Sequence, residues 1–169
     1  MKFQRFFLVG ALAFVCVSAF GCAEKRPDGF PELYPISIKI LQEGKPLEGA
    51  SVNLVAQDPQ LVRWPAGGNT NADGVVELRT YGYEGAPAGT FKVLVMKTET
   101  LGEANSPEEA QRLMQEGKLG DFERFDLVDT RYRDQAQTPL SLEVKAGSNA
   151  TQEFDVGAPI REPIRMPGS

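Results

Sequence analysis

Cysteine and histidine carry much of the covalent and metal chemistry of proteins, and this chain uses them sparingly. Its 169 residues contain no histidine and two cysteines, Cys16 and Cys22. Without histidine the chain has neither Ser–His–Asp nor Cys–His catalysis, nor the commonest zinc ligand. Cys16 lies within an apolar run, whereas Cys22 follows small residues and precedes a polar stretch. We therefore expect the covalent chemistry of the chain to centre on the thiol of Cys22.

The first 21 residues are typical of a secretory signal peptide. Lys2 and Arg5 precede an apolar run over residues 6–17, and mostly small residues fill positions 18–21. Such segments are removed during export and take no part in the fold. The alternative is an uncleaved anchor helix, but the apolar run is shorter than the roughly 20 residues that cross a bilayer. We predict a signal peptide over 1–21, whose loss removes Cys16 and leaves Cys22 without an internal disulfide partner.

Residues Ala19-Phe20-Gly21-Cys22 resemble the lipobox of bacterial lipoproteins. In that family a diacylglyceryl group is attached to the cysteine thiol, the signal is cut just before the cysteine, and the new amine can be acylated, typically with palmitate. The resemblance implies a lipid on Cys22 that holds the chain at a membrane, since two or three acyl chains anchor stably. The alternative is ordinary secretion with a free cysteine. A polar stretch with prolines and glycine follows, which predicts a linker over 22–33.

Net charge limits the partners of the chain. Eighteen basic residues stand against 23 acidic ones, a net charge of −5 that becomes −7 when Lys2 and Arg5 leave with the signal. An acidic surface disfavours nucleic acid and anionic lipid head groups. We expect no nucleic-acid partner and a bilayer contact made by the acyl chains on Cys22. Ala23, where a retention signal would have Asp, favours the outer membrane under the sorting rule of Gram-negative lipoproteins.

Residues 69–74 match the start of a calcium-binding loop. Asn69, Asn71 and Asp73 alternate before Gly74, as oxygen ligands do in an EF-hand loop. Position twelve of that loop would be Thr80, where a bidentate Glu is needed. A turn in which asparagine bonds the following backbone explains the same residues, and we favour it over a metal site.

Aromatic residues in loops and turns are the other candidates for ligand binding. Trp64 lies in a long loop over residues 57–73, and Tyr81 and Tyr83 flank Gly82. Exposed aromatic side chains on loops bind sugars and proteins. The alternatives are a Trp64 that covers one end of the fold and a Tyr81–Tyr83 turn that is purely structural.

A group of four acidic residues falls within nine positions. These residues are Asp121, Glu123, Asp126 and Asp129. Carboxylate pairs can serve glycoside hydrolysis. Arginines at 124, 131 and 133 lie among them, which favours a salt-bridged surface.

Alternating apolar residues predict a mostly β domain over 34–157. Ile36, Ile38 and Ile40 recur at every second position, the period of a half-buried strand. Comparable patterns occupy 50–56, 75–80, 91–97, 127–128, 140–144 and 151–156, with turn residues between them. We predict about seven strands, the first two joined as a hairpin.

Two other segments interrupt or follow the predicted strands. Ser106-Pro107-Glu108-Glu109 is typical of a helix start, which predicts a short helix within an insertion over 98–121. Three prolines after residue 157 predict a disordered tail over 158–169.

Three segments resemble the carboxypeptidase regulatory-like, or transthyretin-like, family. They are G-x-P-L-x-G-A-x-V at 44–52, T-x-x-x-G at 70–74 and A-G-x-F-x-V-x-V at 88–95. The resemblance spans about residues 36–97 and implies an Ig-like or transthyretin-like Greek-key β-sandwich with one inserted helix. The regulatory domain of metallocarboxypeptidases is non-catalytic, and the hydroxyisourate hydrolases, which share the fold, depend on histidines.

These features together predict a module of the cell envelope. We expect a non-catalytic binding or structural module, not an enzyme, with no cofactor. Acylated Cys22 would hold it in the bilayer, and an envelope protein would be its partner. The alternative is a carbohydrate-binding lipoprotein that uses the loop aromatics Trp64, Tyr81 and Tyr83.

Overall fold

A computed structural model describes residues 27–104, 106–118 and 122–164. The chain divides into two compact units, Met1–Phe30 and Pro31–Ser169. The predicted signal peptide, Cys22 and residues 23–26 of the predicted linker lie outside the described residues. Within the described part, no helix has both the length and the apolar character that crossing a bilayer requires.

The described residues form fifteen strands, one α-helix and one 3-10 helix. The strands are β1 (Leu33–Tyr34), β2 (Ser37–Gln42), β3 (Lys45–Pro46), β4 (Ser51–Ala56), β5 (Ala66–Asn69), β6 (Val75–Glu77), β7 (Arg79–Thr80), β8 (Tyr83–Glu84), β9 (Ala86–Pro87), β10 (Gly89–Met96), β11 (Thr98–Leu101), β12 (Glu123–Asp126), β13 (Ser141–Val144), β14 (Gln152–Asp155) and β15 (Glu162–Pro163). The helices are α1 (Pro107–Gln115) and the 3-10 helix Thr130–Arg133. Strands outnumber the predicted seven mainly because six of them are only two residues long, and the longer strands β5 and β11 were not predicted.

Two sheets form a β-sandwich. The larger sheet has the strand order β13-β10-β4-β5-β7-β8, and the smaller has β14-β2-β3 with β6 also paired to β2. Strand β14 runs parallel to β2, whereas the pairs within the larger sheet are antiparallel. Buried apolar side chains from both sheets join one core cluster. The predicted all-β sandwich with one short helix is confirmed.

The core consists of the alternating residues that the sequence presents. Ile38 and Ile40 of β2 and Phe91 and Val93 of β10 are completely buried, and their neighbours in each strand point the other way. Burial of each such side chain contributes roughly 1.5–3 kcal/mol. The two faces of each strand therefore differ as the period-two pattern predicted.

The predicted hairpin between the first two long strands is wrong. Strand β2 turns onto the two-residue β3, with Gln42 opposite Lys45, and the chain then crosses to the larger sheet, where β4 pairs with β10. The physical reason lies at Leu47, whose side chain is buried and whose N–H donates to the carbonyl of Ile40 at 3.0 Å. The chain therefore stays bonded to β2 as far as Leu47, and β4 begins in the other sheet instead of pairing with β2.

The predicted insertion over 98–121 contains the predicted helix but begins as a strand. Ser106 Oγ accepts a hydrogen bond from Glu109 N at 3.1 Å, and Pro107 is the first helical residue. Strand β11 pairs with β12, which ends one residue before the strand predicted at 127–128. Local polarity did not reveal β11 because its partner β12 lies more than 20 residues further along the chain.

Residues 158–164 are not the disordered tail that the prolines predicted. Strand β15 pairs with β12, with Pro163 opposite Phe125, and Ile164 N donates to the carbonyl of Arg124 at 2.8 Å. Proline is tolerated there because β15 is the edge of the three-stranded sheet β11-β12-β15. Residues 165–169 of the predicted tail lie outside the described residues.

Candidate functional site

The polar groups of the Asn71–Gly74 turn form hydrogen bonds within the turn and with Val75, which follows it. Asn71 Oδ1 accepts hydrogen bonds from the N–H groups of Asp73 and Val75, each at 3.0 Å. Gly74 has a φ of +73°, and a Cβ added there would lie 2.5 Å from the carbonyl oxygen of Ile40. The turn interpretation therefore describes this segment.

The calcium candidates do not converge. Asn69 lies at the end of β5 opposite Ser51, and Asp73 is exposed at the tip of the turn. Among the described residues, no group of three acidic, cysteine or histidine side chains is placed to hold a metal ion. Thr80, at the position where an EF-hand has Glu, is buried and donates to the carbonyl of Gly85 at 2.9 Å.

The acidic group at 121–129 is salt-bridged in its described part. Arg133 Nη1 donates to both carboxylate oxygens of buried Asp126, at 2.9 and 2.7 Å. Asp129 Oδ1 caps the 3-10 helix through Arg131 N at 3.0 Å. Glu123 is exposed, and Asp121 lies outside the described residues. The salt-bridged surface predicted from the arginines is present at Asp126 and Asp129.

Trp64 and Tyr81 meet at one end of the larger sheet. Their ring centroids are 5.8 Å apart with an interplanar angle of 85°, an edge-to-face pair. Trp64 is only 8% exposed, whereas Tyr81 is 62% exposed. Trp64 is thus the buried support and Tyr81 the accessible aromatic side chain. We call the segment Pro59–Trp64 together with Tyr81 the aromatic corner.

Both parts of the aromatic corner are fixed by local structure. Tyr81 and Gly82 form a two-residue turn between β7 and β8, and both have positive φ, +51° and +86°, as in a type I′ hairpin turn. In the loop, Leu61 N donates to Asp58 O at 3.0 Å and Trp64 N donates to Leu61 O at 2.9 Å. A bond from the Tyr81 hydroxyl to the Arg63 carbonyl, 3.0 Å long, ties the two parts together.

Within the aromatic corner, Arg63 contacts Trp64 and lines a cleft. Its guanidinium carbon lies 5.1 Å from the centroid of the Trp64 ring, a cation–π contact. Pro59, Gln60 and Arg63 line a shallow cleft of about 340 Å³. Val62 beside it is 60% exposed. The corner therefore offers one aromatic ring, one aliphatic side chain, an amide and a guanidinium to a ligand.

The predicted ligand residues are only partly brought together. Tyr83 lies on β8, half-buried and opposite Thr80. It is therefore close in sequence to Tyr81 but less exposed. Arg63 and Val62 were missed by the sequence reasoning. Their adjacency to Trp64 was visible, but their exposure depends on the conformation of the loop.

A second, smaller pocket lies between the sheets' edges. Its volume is about 150 Å³, and its lining includes Ser37, Glu77, Glu84 and Asn149. Ser37 Oγ lies 2.7 Å from Thr151 Oγ1, and the Asn149 amide bonds the backbone of Lys145 in both directions. Most of its uncharged polar groups are therefore already partnered within the fold.

Comparison with known proteins yields two weak structural likenesses. No family model and no curated protein matches the chain. A Klebsiella pneumoniae 5-hydroxyisourate hydrolase is similar in structure, with 16% identity over 80% of this chain and 97% of that chain and a TM-score of 0.35. A 9R-lipoxygenase from Cyanothece PCC8801 shows 15% identity over 80% of this chain and 18% of that chain, with a TM-score of 0.30.

One expectation is corrected by these comparisons. The chain was expected not to be an enzyme, and the hydrolase among the similar structures contradicts that expectation. The expectation rested on the absence of histidine and on a likeness to non-catalytic domains, neither of which excludes activity, because one fold hosts catalysts as well as binding modules. At these TM-scores the likeness assigns this chain no reaction and no site.

Proposed function

We propose that the chain is a lipid-anchored binding module of the bacterial envelope, and that its partner is a protein that contacts the aromatic corner. The observation that carries the proposal is Tyr81. A large aromatic side chain is 62% exposed at the tip of a hairpin and rests on a buried tryptophan. Tyr, Trp and Arg are the residues enriched where interfaces gain most of their binding energy.

The conformation of Tyr81 supports this role. Non-glycine residues adopt positive φ rarely, and the asparagine and aspartate that usually do so have short polar side chains. A tyrosine with a φ of +51° therefore costs free energy that a smaller turn residue would save. Strain of this kind concentrates at functional positions. The strain is held by the edge contact with Trp64 and by the bond to the Arg63 carbonyl.

The anchor in this proposal is a lipid on Cys22. Its support is the resemblance of residues 19–22 to a lipobox, the single cysteine left after cleavage, and the polar residues that follow. Ten residues separate Cys22 from β1, and an extended chain of that length reaches at most about 35 Å. The sandwich would therefore stay within one domain diameter of the membrane surface. Under the sorting rule, Ala23 favours the outer membrane.

Two measurements on cells that make the protein test the proposal. Mass spectrometry of the N-terminal peptide should find a diacylglyceryl group on Cys22. Chemical crosslinking in those cells should give one recurrent protein adduct, which Tyr81→Asn should weaken while Met114→Ser, a matched change at another exposed apolar side chain, should not. An unmodified Cys22 would remove the anchor. An adduct yield that Tyr81→Asn leaves unchanged would show that the aromatic corner is not the binding surface.

A carbohydrate ligand is the second candidate, and the open ring of Tyr81 beside the cleft favours it. Sugars stack on exposed aromatic faces, but Trp64, the better platform, is buried and covered by Arg63. A glycan array read with the native chain, Tyr81→Asn and Trp64→Ala separates the two candidates. Glycan binding that Tyr81→Asn abolishes, without any protein adduct, would replace the first proposal with the second.

A further inference from the structure

We infer that the aromatic corner recognises a carboxylate of its partner through Arg63, so that the ligand is an acidic polypeptide segment with an apolar residue beside the acid. This inference rests on the proposed function and names the chemistry of its ligand. It is carried by the ion-pair pattern of the described residues and by the position of Arg63 at the cleft.

Among the described residues, no carboxylate forms an ion pair with Arg63. The ion pairs of the described residues employ Arg112, Arg131, Arg133 and Arg161, and none of them employs Arg63. Asp58 is nearby in sequence, but its Oδ1 accepts from Gln60 N at 2.9 Å. In a chain with a net charge of −5, a guanidinium that no acid pairs is a local positive site within an acidic surface.

The guanidinium is also placed against an aromatic ring, since its central carbon lies 5.1 Å from the centroid of Trp64. No hydrogen bond or ion pair of the described residues uses its N–H groups. Those N–H groups form the fork that binds a carboxylate with two parallel hydrogen bonds. The backbone carbonyl of Arg63 accepts a hydrogen bond from the Tyr81 hydroxyl at 3.0 Å, which reduces the loop freedom to be lost on binding.

The surroundings of Arg63 select a polypeptide. Gln60 supplies an amide at the cleft, suited to a peptide backbone, and Pro59 adds apolar surface to its lining. Val62 precedes Arg63 in the loop, and the Tyr81 hydroxyl bonds the Arg63 carbonyl; their side chains are 60% and 62% exposed and add apolar surface to the aromatic corner. An aliphatic side chain adds nothing to sugar stacking but packs against an apolar side chain of a peptide. A uronate-containing glycan would use Arg63 but would leave Val62 without a partner.

The test is a titration of the full chain, followed through the fluorescence of Trp64, which is the single tryptophan. The probes are eight-residue peptides with one glutamate beside one phenylalanine or leucine, and matched peptides with glutamine instead. Glutamate peptides should bind at least about tenfold more tightly than their glutamine copies, since hydrogen bonds to charged groups are the stronger ones. Their affinity should fall as salt rises.

Matched variants assign the effect to Arg63. Arg63→Ala and Arg63→Gln should lose the preference for glutamate, and Arg63→Lys should keep part of it because it keeps the charge but not the fork. Arg124→Ala is the control, since Arg124 also lies over an aromatic ring, at 4.9 Å from Phe122, and is in no ion pair of the described residues. Thermal unfolding of each variant checks that the fold is retained.

Three results would overturn the inference. They are no peptide binding at millimolar concentration, equal binding of glutamate and glutamine peptides, and Arg63-dependent binding of oligogalacturonate but not of peptides. If crosslinking in cells depends on Tyr81 but not on Arg63, the proposed function stands and the carboxylate inference fails. If crosslinking depends on neither residue, the proposed function itself fails.

Discussion

Two turns of this molecule look alike in sequence and behave in opposite ways. The Asn71–Gly74 turn and the Tyr81–Gly82 turn each combine a candidate ligand residue with a glycine, and each precedes or joins strands. In the first, Asn71 Oδ1 accepts two backbone N–H groups and Gly74 packs against the carbonyl of Ile40. In the second, Tyr81 projects its ring into solvent and Gly82 has no atom within 4 Å of an added Cβ.

The difference teaches how to tell a folding turn from a binding turn. A folding turn uses its polar atoms internally, so substitution should cost stability and leave binding intact. A binding turn leaves most of its side-chain surface exposed to solvent and accepts strain, so substitution should cost binding and leave stability nearly intact. Four predictions test this contrast, in order of decreasing effect.

Gly74→Ala should give the largest loss of stability. The added methyl group meets a backbone oxygen at 2.5 Å and the φ of +73° disfavours any side chain, so we expect a loss of about 2–4 kcal/mol in the free energy of unfolding. Urea denaturation measures it. Gly82→Ala is the control, because its φ of +86° is similar but its surroundings are open, and it should lose only about 1 kcal/mol. Equal losses would remove the contrast.

Asn71→Ala should cost about 1–2 kcal/mol in the free energy of unfolding, because two backbone N–H groups lose their acceptor. The comparison is Asn69→Ala, whose exposed side chain makes no hydrogen bond in the described part of the chain and whose loss should stay within about 0.5 kcal/mol. Both variants should bind the partner normally. Weakened binding by Asn71→Ala at unchanged stability would make this turn a site.

Tyr81→Asn should change the free energy of unfolding by less than about 1 kcal/mol, because asparagine tolerates the left-handed backbone and offsets the lost contact with Trp64. Partner binding should fall about tenfold or more. Thermal unfolding and crosslinking yield from the same preparation give both quantities. A variant that unfolds readily and still binds would invert the assignment of this turn.

A third turn extends the contrast to pH. The N–H groups of Gly157 and Gly44 donate to the Asp155 carboxylate at 2.7 and 2.8 Å and hold its pKa below the ordinary value. Asp155 therefore contributes stability that is present above the ordinary carboxyl pKa of about 3.9 and is lost as pH falls through the lower folded-state pKa. Because the group is exposed, solvent screening keeps this contribution below about 1 kcal/mol.

Urea denaturation between neutral pH and about pH 2 measures that contribution. Asp155→Asn should flatten the acid limb of the stability curve relative to that of the native chain. Identical acid limbs for the native chain and Asp155→Asn would show that the carboxylate does not stabilise this turn.

The sequence predicted what is local. Period-two alternation placed Ile38, Ile40, Phe91 and Val93 in the core, and the Ser106-Pro107 start gave the helix. These features depend only on strand and helix geometry. The position of β4 depends instead on the bond between Leu47 and Ile40, and the ordering of β15 depends on β12, forty residues away along the chain. Contacts of this kind join segments that are distant in sequence, so no pattern within either segment predicts them.

The same limit applies to the candidate site. The sequence singled out the aromatic residues as candidates, but their division into a buried Trp64 and an exposed Tyr81 follows from contact between a loop and a hairpin 18 residues apart. Arg63 became a candidate only when its ring contact and its lack of a carboxylate partner among the described residues were both visible.

The most direct test of the central claim is photo-crosslinking in cells with a photoreactive amino acid at position 81 and, separately, at position 73. Both positions are exposed tips of turns, so the pair compares the proposed binding turn with the folding turn at two accessible positions. The account predicts one recurrent protein adduct from position 81, carried by chains whose Cys22 is lipidated, and none from position 73. The same adducts from both positions, or none from position 81, would contradict it.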